Sequence, residues 1–86
     1  MLSLDQLQEN QLGVVVRVEA AETAMTPDLL RRLSELGFLP GEQVRVIARG
    51  IPGGSPLAVR VGTSTFALRK IEARCVLVKL VTVPTE

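Results

Sequence analysis

The stretch MTPDLLRRLSELGFLPG, residues 25–41, carries helix start and stop signals in a chain that otherwise alternates in the manner of β-strands. Thr26 is a suitable N-cap, because its side-chain oxygen can accept a hydrogen bond from a free N–H of the first turn. Pro27 suits the first helical position, where the missing N–H would have no helical partner. Met25 and Leu30 have the spacing of a hydrophobic staple. The stretch therefore predicts an amphipathic helix, whose core-facing residues are Leu29, Leu30, Leu33 and Leu36.

The end of this helix is marked equally clearly. Gly37 suits the left-handed residue just past the helix, which places Phe38 where a Schellman motif has an apolar residue that packs back on Leu33. The next four residues, 39–42, fit a type II turn, because proline fixes φ at the first central position and glycine supplies a positive φ at the second. A turn in so small a domain can bury only part of Phe38 and Leu39, so both are also candidates for binding a partner.

Length and composition predict one small soluble domain that spans residues 1–86. Hydrophobic residues make up 47% of the sequence, which is enough for a modest core. Ten basic and nine acidic residues leave a net charge of +1, so the strong field that attracts nucleic acid or anionic membranes is absent. No apolar run approaches the roughly 18 residues of a membrane span. The only cysteine, Cys75, excludes an intrachain disulfide and is interpreted as a buried hydrophobe, so we expect a cytoplasmic protein.

Alternating apolar and polar residues predict five strands, which cover residues 11–20, 44–49, 57–61, 65–68 and 75–83. In the first strand, one face holds Val14, Val16 and Val18, and the other holds Val15, Arg17 and Glu19. In the second strand, Val44, Val46 and Ala48 alternate with Arg45, Ile47 and Arg49. In the last strand, the residues predicted to face inward are Val76, Val78 and Leu80. A short helix within residues 3–10 is predicted to close one end of the fold, and residues 69–74 to form one helical turn.

These elements predict a mainly β fold, a small SH3-like barrel of about five strands with one inserted α-helix and a short helical turn before the last strand. Closure has a physical reason, because an open sheet of such short strands would leave unpaired edges. An OB-type barrel also has five strands and one helix, but its helix normally follows the third strand. Here the helix follows the first strand, which favours the SH3-like alternative.

The residue inventory predicts that the chain is not an enzyme. The sequence has no histidine, so catalytic triads, histidine acid–base chemistry and ordinary zinc sites lack their central residue. Glu19 and Glu22 are the nearest carboxylate pair, and we interpret them as a solvated pair at the end of a strand. We expect that no cofactor is required, and that surface carboxylates bind a divalent metal only weakly.

Three arginines on polar strand faces, Arg17, Arg45 and Arg60, raise the alternative of a basic stripe that binds nucleic acid. Small barrels that bind single strands combine such a groove with aromatic side chains on which bases stack. Because the sequence contains neither Trp nor Tyr, we predict a solvated face and no nucleic-acid partner.

Two segments carry a family resemblance, LLRRLSELGFLPGEQVRV at residues 29–46 and GGSPLAVRVGTSTFALRKIEARCVLV at residues 53–78. Their most telling pieces, taken in order, are Leu36–Gly41, Pro56–Leu57, Ala67–Arg69 and Glu72–Ala73. This ordered set resembles the FeoA family, small cytosolic components of bacterial ferrous iron uptake. The resemblance implies an SH3-like barrel, no enzymatic activity, and association with FeoB, the membrane transporter that bears a cytoplasmic GTP-binding domain.

Two other functions stay open at this point. The same domain type is appended to metal-dependent repressors that resemble the DtxR family, which would make the chain a metal-linked regulatory module. Such a regulator needs a winged helix-turn-helix and metal-ligand histidines, and the 86 residues contain neither. The other alternative is a plain self-associating interaction module, because small barrels with partly apolar last strands often dimerise. A weak homo-oligomer is compatible with each of these functions.

The predicted partner-binding surface combines apolar side chains with an arginine, a common composition of interface anchors. One part is the exit of the helix, and the other part precedes the last helical turn. If the two parts adjoin, they form one site for FeoB. The residues of this hypothesis are Leu36, Gly37, Phe38, Leu39, Pro40, Leu68 and Arg69.

Overall fold

The computed structural model describes residues 1–20, 27–50, 53 and 55–81 of the chain. Within those ranges the strands are β1 (Leu2–Ser3), β2 (Leu12–Val18), β3 (Gln43–Arg49), β4 (Leu57–Val61), β5 (Ser64–Leu68) and β6 (Val76–Leu80). The helices are α1 (Pro27–Leu36) and α2 (Lys70–Ala73), and a 3₁₀ turn covers Leu4–Gln6.

The six strands form one antiparallel sheet in the order β1-β6-β2-β3-β4-β5. This architecture confirms the predicted mainly β fold, with one inserted helix and a short helical turn before the last strand. The strand β1 adds one strand to the predicted five. Two residues are too few to show any alternation, so only the pairing of Leu2 with Val78 reveals it.

Helix α1 begins at Pro27, as predicted, and lays its apolar face on the core. Leu33 is buried in that core, and three half-buried leucines pack against it: Leu29, Leu30 and Leu36. The predicted cap Thr26 and staple residue Met25 lie outside the described residues.

The exit of α1 is the predicted Schellman motif. The N–H of Phe38 donates to the carbonyl oxygen of Leu33 over 3.1 Å, and the N–H of Gly37 donates to that of Ser34 over 3.0 Å. Gly37 has a φ of 117°, which residues with a Cβ rarely adopt. The motif therefore ends the helix and turns the chain toward β3.

A single hydrophobic core lies inside the curled sheet and beneath α1. Its strand residues come from β2, β3, β4, β5 and β6, and the remainder come from the 3₁₀ turn region, the two helices and the residues just after each helix. The buried members are Leu4, Leu7, Val15, Leu33, Phe38, Val44, Val46, Leu57, Val59, Val61, Leu68, Ala73, Cys75, Val76 and Val78. The interpretation of Cys75 as a small buried hydrophobe is confirmed.

The predicted alternation of β2 is interrupted by a β-bulge. Val15 and Arg17 pair with consecutive residues of β6, so Val16 is an extra residue. Val15 faces the core before the bulge, and Val18 packs on the core after it. The prediction that Val15 shares a face with Arg17 is therefore wrong, because the bulge changes the side on which each later residue falls.

A second bulge reverses the end of β3. Val46 and Ala48 pair with consecutive residues of β4, which makes Ile47 the extra residue. Ala48 is consequently exposed, and Arg49 lies opposite the buried Leu57. The prediction that Ala48 shares a face with Val46, and Arg49 with Arg45, is wrong for this reason.

The N-terminal segment closes one end of the fold, as predicted, although its helical part is a 3₁₀ turn. Leu4 and Leu7 are fully buried in the core. The guanidinium of Arg49 donates from Nη2 to the carbonyl oxygen of Asp5 over 2.8 Å and to that of Leu7. The N–H of Asn10 donates to the carbonyl oxygen of Val46 over 2.7 Å. Strand β3 therefore holds this segment in place through its bulged end.

Strand β6 is shorter than the predicted range, and its described part ends at Leu80. Val76 and Val78 face the core as predicted, but Leu80 is 46% exposed, so its inward placement is wrong. Residues 82 and 83 of the predicted strand lie outside the described residues. In the described ranges, no helix has the length and apolar character that a membrane crossing requires.

Candidate functional site

Two members of the predicted partner-binding surface are core residues. The side chain of Phe38 is 0% exposed, with its ring centroid 6.4 Å from that of Phe66, and Leu68 is 2% exposed. The expectation that a turn buries only part of Phe38 is wrong, because the Schellman exit points the ring under the β4–β5 hairpin. Neither Phe38 nor Leu68 presents a side chain to a partner in this conformation. Both are instead members of the hydrophobic core.

The neighbouring residues, Leu39 to Glu42, form an exposed corner that is the predicted type II turn. The N–H of Glu42 donates to the carbonyl oxygen of Leu39 over 3.0 Å, and Gly41 has a φ of 90°. Leu39 is 47% exposed, and Pro40 is also exposed. We call residues 39–42 the corner.

The corner is tied to the sheet by two backbone hydrogen bonds. The N–H of Gly41 donates to the carbonyl oxygen of Val15 over 2.8 Å, and the N–H of Val15 donates to that of Glu42 over 2.9 Å. The exposed side chain of Leu39 therefore stands on a turn whose second half, at Gly41 and Glu42, is fixed to β2. Leu36 and Gly37 precede the corner and are half-buried, so they contribute little surface.

Arg69 lies in a different place from the corner. It lines an open groove with Leu29 and Arg32 of α1 on one side and Pro56, Ala67 and Glu72 on the other. Its backbone N–H donates to Oε1 of Glu72 over 2.8 Å, which starts α2. Leu29 and Arg32 lie four or more residues before the last residue of α1, whereas the corner follows the end of the helix. The predicted residues are thus divided between two surface regions.

The three arginines of the predicted stripe are also divided. Arg17 lies opposite Leu77 of β6, and its Nε forms an ion pair of 2.8 Å with Oε2 of Glu19. Arg45 and Arg60 lie directly opposite each other on β3 and β4, and both are exposed. The structure therefore shows an adjacent arginine pair rather than a stripe. Sequence patterns miss this pair, since a long connection joins the two strands and leaves their register open.

The described part of the chain contains no group of three Cys, Asp or Glu side chains arranged to hold a metal ion. In the described ion pairs, the carboxylate of Asp5 is less exposed than that of Glu19. It lies 3.8 Å from Nε of Arg74 and accepts a hydrogen bond from the hydroxyl of Ser3. The predicted pair of Glu19 and Glu22 is not described, because Glu22 lies outside the described residues.

Comparison with solved structures shows the same fold in several proteins. A crystal structure of FeoA from Stenotrophomonas maltophilia is 42% identical, covers 92% of this chain and 91% of that chain, and has a TM-score of 0.79. It is described as a prokaryotic SH3-domain protein complexed with zinc, with a suggested role as a bacterial ferrous iron transport activating factor. The iron(II) transport protein A of Clostridium thermocellum is 28% identical, covers 93% of this chain and 46% of that chain, and has a TM-score of 0.79.

A manganese-dependent transcriptional repressor shares the fold at a lower identity. It is 24% identical and covers 86% of this chain but 38% of its own, with a TM-score of 0.70. The comparison with curated proteins gave no match. The sequence model of the FeoA domain matches residues 2–80, which include all six strands and both helices. The SH3-like fold predicted from the sequence is thereby confirmed, and the chain belongs to the FeoA family.

Proposed function

We propose that this protein is a small accessory protein of bacterial ferrous iron uptake, which binds the cytoplasmic part of a FeoB-type transporter and modulates its activity. The observation that carries the proposal is the family match over residues 2–80, together with the transport-activating role suggested for the 42% identical FeoA. The protein acts in the cytoplasm and contributes no catalytic step of its own. The repressor shares only the fold, so no observation favours a regulatory role over this one.

The corner is the part of the predicted surface best suited to bind the transporter. Leu39 offers an apolar side chain, and Pro40 beside it has no free backbone N–H to desolvate. Because two hydrogen bonds to Val15 fix the corner, little conformational entropy is lost when a partner covers it. Arg69 stays a predicted contact, but the structure places it in the separate groove beside α1.

The test is a binding assay between this protein and the isolated cytoplasmic domain of FeoB, with the membrane part of FeoB assayed separately. We expect the cytoplasmic domain to bind the parent protein, and Leu39→Glu to weaken binding at least about tenfold, since an interface anchor contributes about 2 kcal/mol or more. Leu80→Glu is a matched control, because the two leucines are 47% and 46% exposed. Melting temperatures near that of the parent would show that both variants are folded.

The same two variants also test whether binding through the corner is needed for ferrous uptake. Leu39→Glu should fail to restore ferrous uptake in cells that lack the protein, whereas Leu80→Glu should restore it. Equal binding by both variants would remove the corner from the interface and direct attention to Arg69. If the parent protein binds neither part of FeoB, the proposed partner is wrong.

We further propose that folding requires no metal or other cofactor, and that surface carboxylates bind divalent metals only weakly. The described core is built from hydrophobic side chains alone, so no metal is needed to hold it together. We expect the melting temperature to be the same, within about 1 °C, before and after treatment with EDTA. Addition of Zn²⁺ should leave it equally unchanged at stoichiometric concentration. A decrease of several degrees in EDTA would reveal a structural ion.

A further inference from the structure

Acidic and basic residues are distributed differently between the strands and the rest of the described chain. None of the six strands carries an acidic residue. The described carboxylates all lie outside the strands, at Asp5, Glu9, Glu19, Asp28, Glu35, Glu42 and Glu72. The strands carry five basic residues, Arg17, Arg45, Arg49, Arg60 and Lys79. Although the net charge of the chain is only +1, all charged side chains of the sheet are therefore positive.

The register concentrates two of these charges at one place. A row of paired residues crosses four strands on the outer face of the sheet, from Leu12 through Arg45 and Arg60 to Thr65. Like charges directly opposite each other on neighbouring strands destabilise a sheet. Among the described residues, neither Arg45 nor Arg60 forms an ion pair that would offset this repulsion. The register thus holds two like charges side by side, at some cost in stability.

A small depression lies between the two arginines. It has a volume of about 170 Å³ and is lined by Leu12, Gln43, Val44, Arg45, Arg60 and Gly62. Drug-sized ligands occupy pockets of about 300–1,000 Å³, so this depression suits a much smaller group. The side chains of Arg45, Arg60 and Gln43 supply N–H donors around it, and its lining contains no carboxylate.

We propose that Arg45 and Arg60 bind a phosphate group in this depression. A phosphate monoester carries a charge of about −1.5 to −2 near neutral pH and has three strong acceptor oxygens. Such a dianion matches two guanidinium groups, each of which can donate two parallel hydrogen bonds. A single carboxylate would neutralise one arginine and leave the other unpaired. The phosphate belongs to a free anion or to the exposed end of a larger phosphorylated molecule, because only the group itself fits.

The test is a titration of the ¹⁵N-labelled protein with inorganic phosphate, followed by NMR at an ionic strength kept constant with chloride. We expect saturable shifts at β3 and β4, and at least about tenfold weaker binding in both Arg45→Gln and Arg60→Gln, since each removes charge-assisted hydrogen bonds. Arg31→Gln is the control, as it removes the same charge from the exposed face of α1. Both test variants should melt at or above the temperature of the parent, because the repulsion is relieved.

A second measurement changes the charge of the phosphate by changing the pH. Between pH 7.5 and pH 5 phosphate changes from mainly dianion to monoanion. Histidine, the side chain that normally titrates in this interval, is absent from the sequence. We therefore expect at least about threefold weaker phosphate binding at pH 5, with the protein folded at both pH values. Binding that is independent of pH would contradict the preference for a dianion.

The source of the phosphate is distinguished by comparing probes. Inorganic phosphate, O-phosphoserine and a nucleoside triphosphate should shift the same β3 and β4 resonances. Additional shifts outside β3 and β4 with one of the two larger probes would assign the phosphate to a molecule of that kind, and shifts confined to β3 and β4 with all three would assign it to the free anion. A glutamate-rich peptide serves as the carboxylate probe. If the peptide binds through Arg45 and Arg60 and all three phosphates fail to do so, the site accepts acidic protein segments and the proposal is wrong. Linear, unsaturable shifts, or equal shifts in Arg31→Gln, Arg45→Gln and Arg60→Gln, would also overturn it.

Discussion

Replacing Phe38 with alanine is expected to lower the free energy of unfolding by about 3–5 kcal/mol, the usual effect of deleting a fully buried phenylalanine ring. The ring is 0% exposed and packs beside Phe66, so its removal leaves a cavity between α1 and the β4–β5 hairpin. A domain of this size has a total stability of about 4–13 kcal/mol. The loss is therefore a third or more of the total stability for a domain near the middle of this range, and chemical denaturation monitored by circular dichroism would measure it.

The adjacent residue supplies a matched control. Leu39→Ala removes a side chain that is 47% exposed and stands on a turn held by its own backbone hydrogen bonds. We expect a loss of less than about 1 kcal/mol, because surface substitutions seldom change stability by more. Similar losses in Phe38→Ala and Leu39→Ala would mean that the two side chains are not divided between core and surface as described.

The second large effect is expected from Arg49→Met, which keeps an aliphatic stem and removes the guanidinium. Arg49 donates to the carbonyl oxygens of Asp5 and Leu7, and hydrogen bonds from a charged donor contribute about 1.5–3 kcal/mol each. Since Arg49 is only half-buried, water can hydrogen-bond the two carbonyl oxygens in the variant and offset part of the lost stability. We expect a decrease of about 2–3 kcal/mol in the free energy of unfolding, measured in urea.

Hydrogen exchange would locate this effect in the molecule. The amide of Leu7, which donates to the carbonyl oxygen of Leu4 over 3.2 Å, should exchange faster in Arg49→Met as the N-terminal segment detaches. Arg45→Met, which changes an exposed arginine of the same strand, should leave this exchange and the stability nearly unchanged. If both variants lose the same stability, the inward placement of Arg49 after the bulge is incorrect.

The features that the sequence predicts well are those encoded by neighbouring residues. Pro27 at the start of α1, Gly37 at its end and the turn around Pro40 and Gly41 each follow from the backbone preference of one residue type. The tight hairpin between β4 and β5 is equally local, with Gly62 at a φ of 57°. These local signals can be interpreted without knowing which residues pack against the helix or turn.

The errors lie where partner strands decide the outcome. Val16 and Ile47 are bulged residues, and nothing in their own identity distinguishes them from the other branched residues of β2 and β3. An extra residue appears only when the two paired strands are compared. The predicted alternation therefore groups Val15, Ala48 and Arg49 with the wrong neighbours, although both strands are predicted correctly to exist.

The candidate site shows the same limit. Burial of Phe38 depends on Phe66, which is 28 residues later in the chain, and the opposition of Arg45 and Arg60 depends on the register of β3 and β4. The resemblance in residues 29–46 and 53–78 predicted the family correctly because it needs only the order of residues. It could not show that Leu39 and Arg69 occupy different surface regions.

The two bulges leave the length of β2 and β3 open to change during evolution. Without Val16, its two neighbours would pair with consecutive residues of β6 in a regular ladder, and Arg17 and Val18 would keep their present faces. Without Ile47, the end of β3 would likewise form a regular ladder with β4, and Arg49 would still lie opposite Leu57 and beside the N-terminal segment. Homologous sequences that keep this core should therefore tolerate the loss of one residue at either bulge, as well as insertions and deletions in the connections between strands.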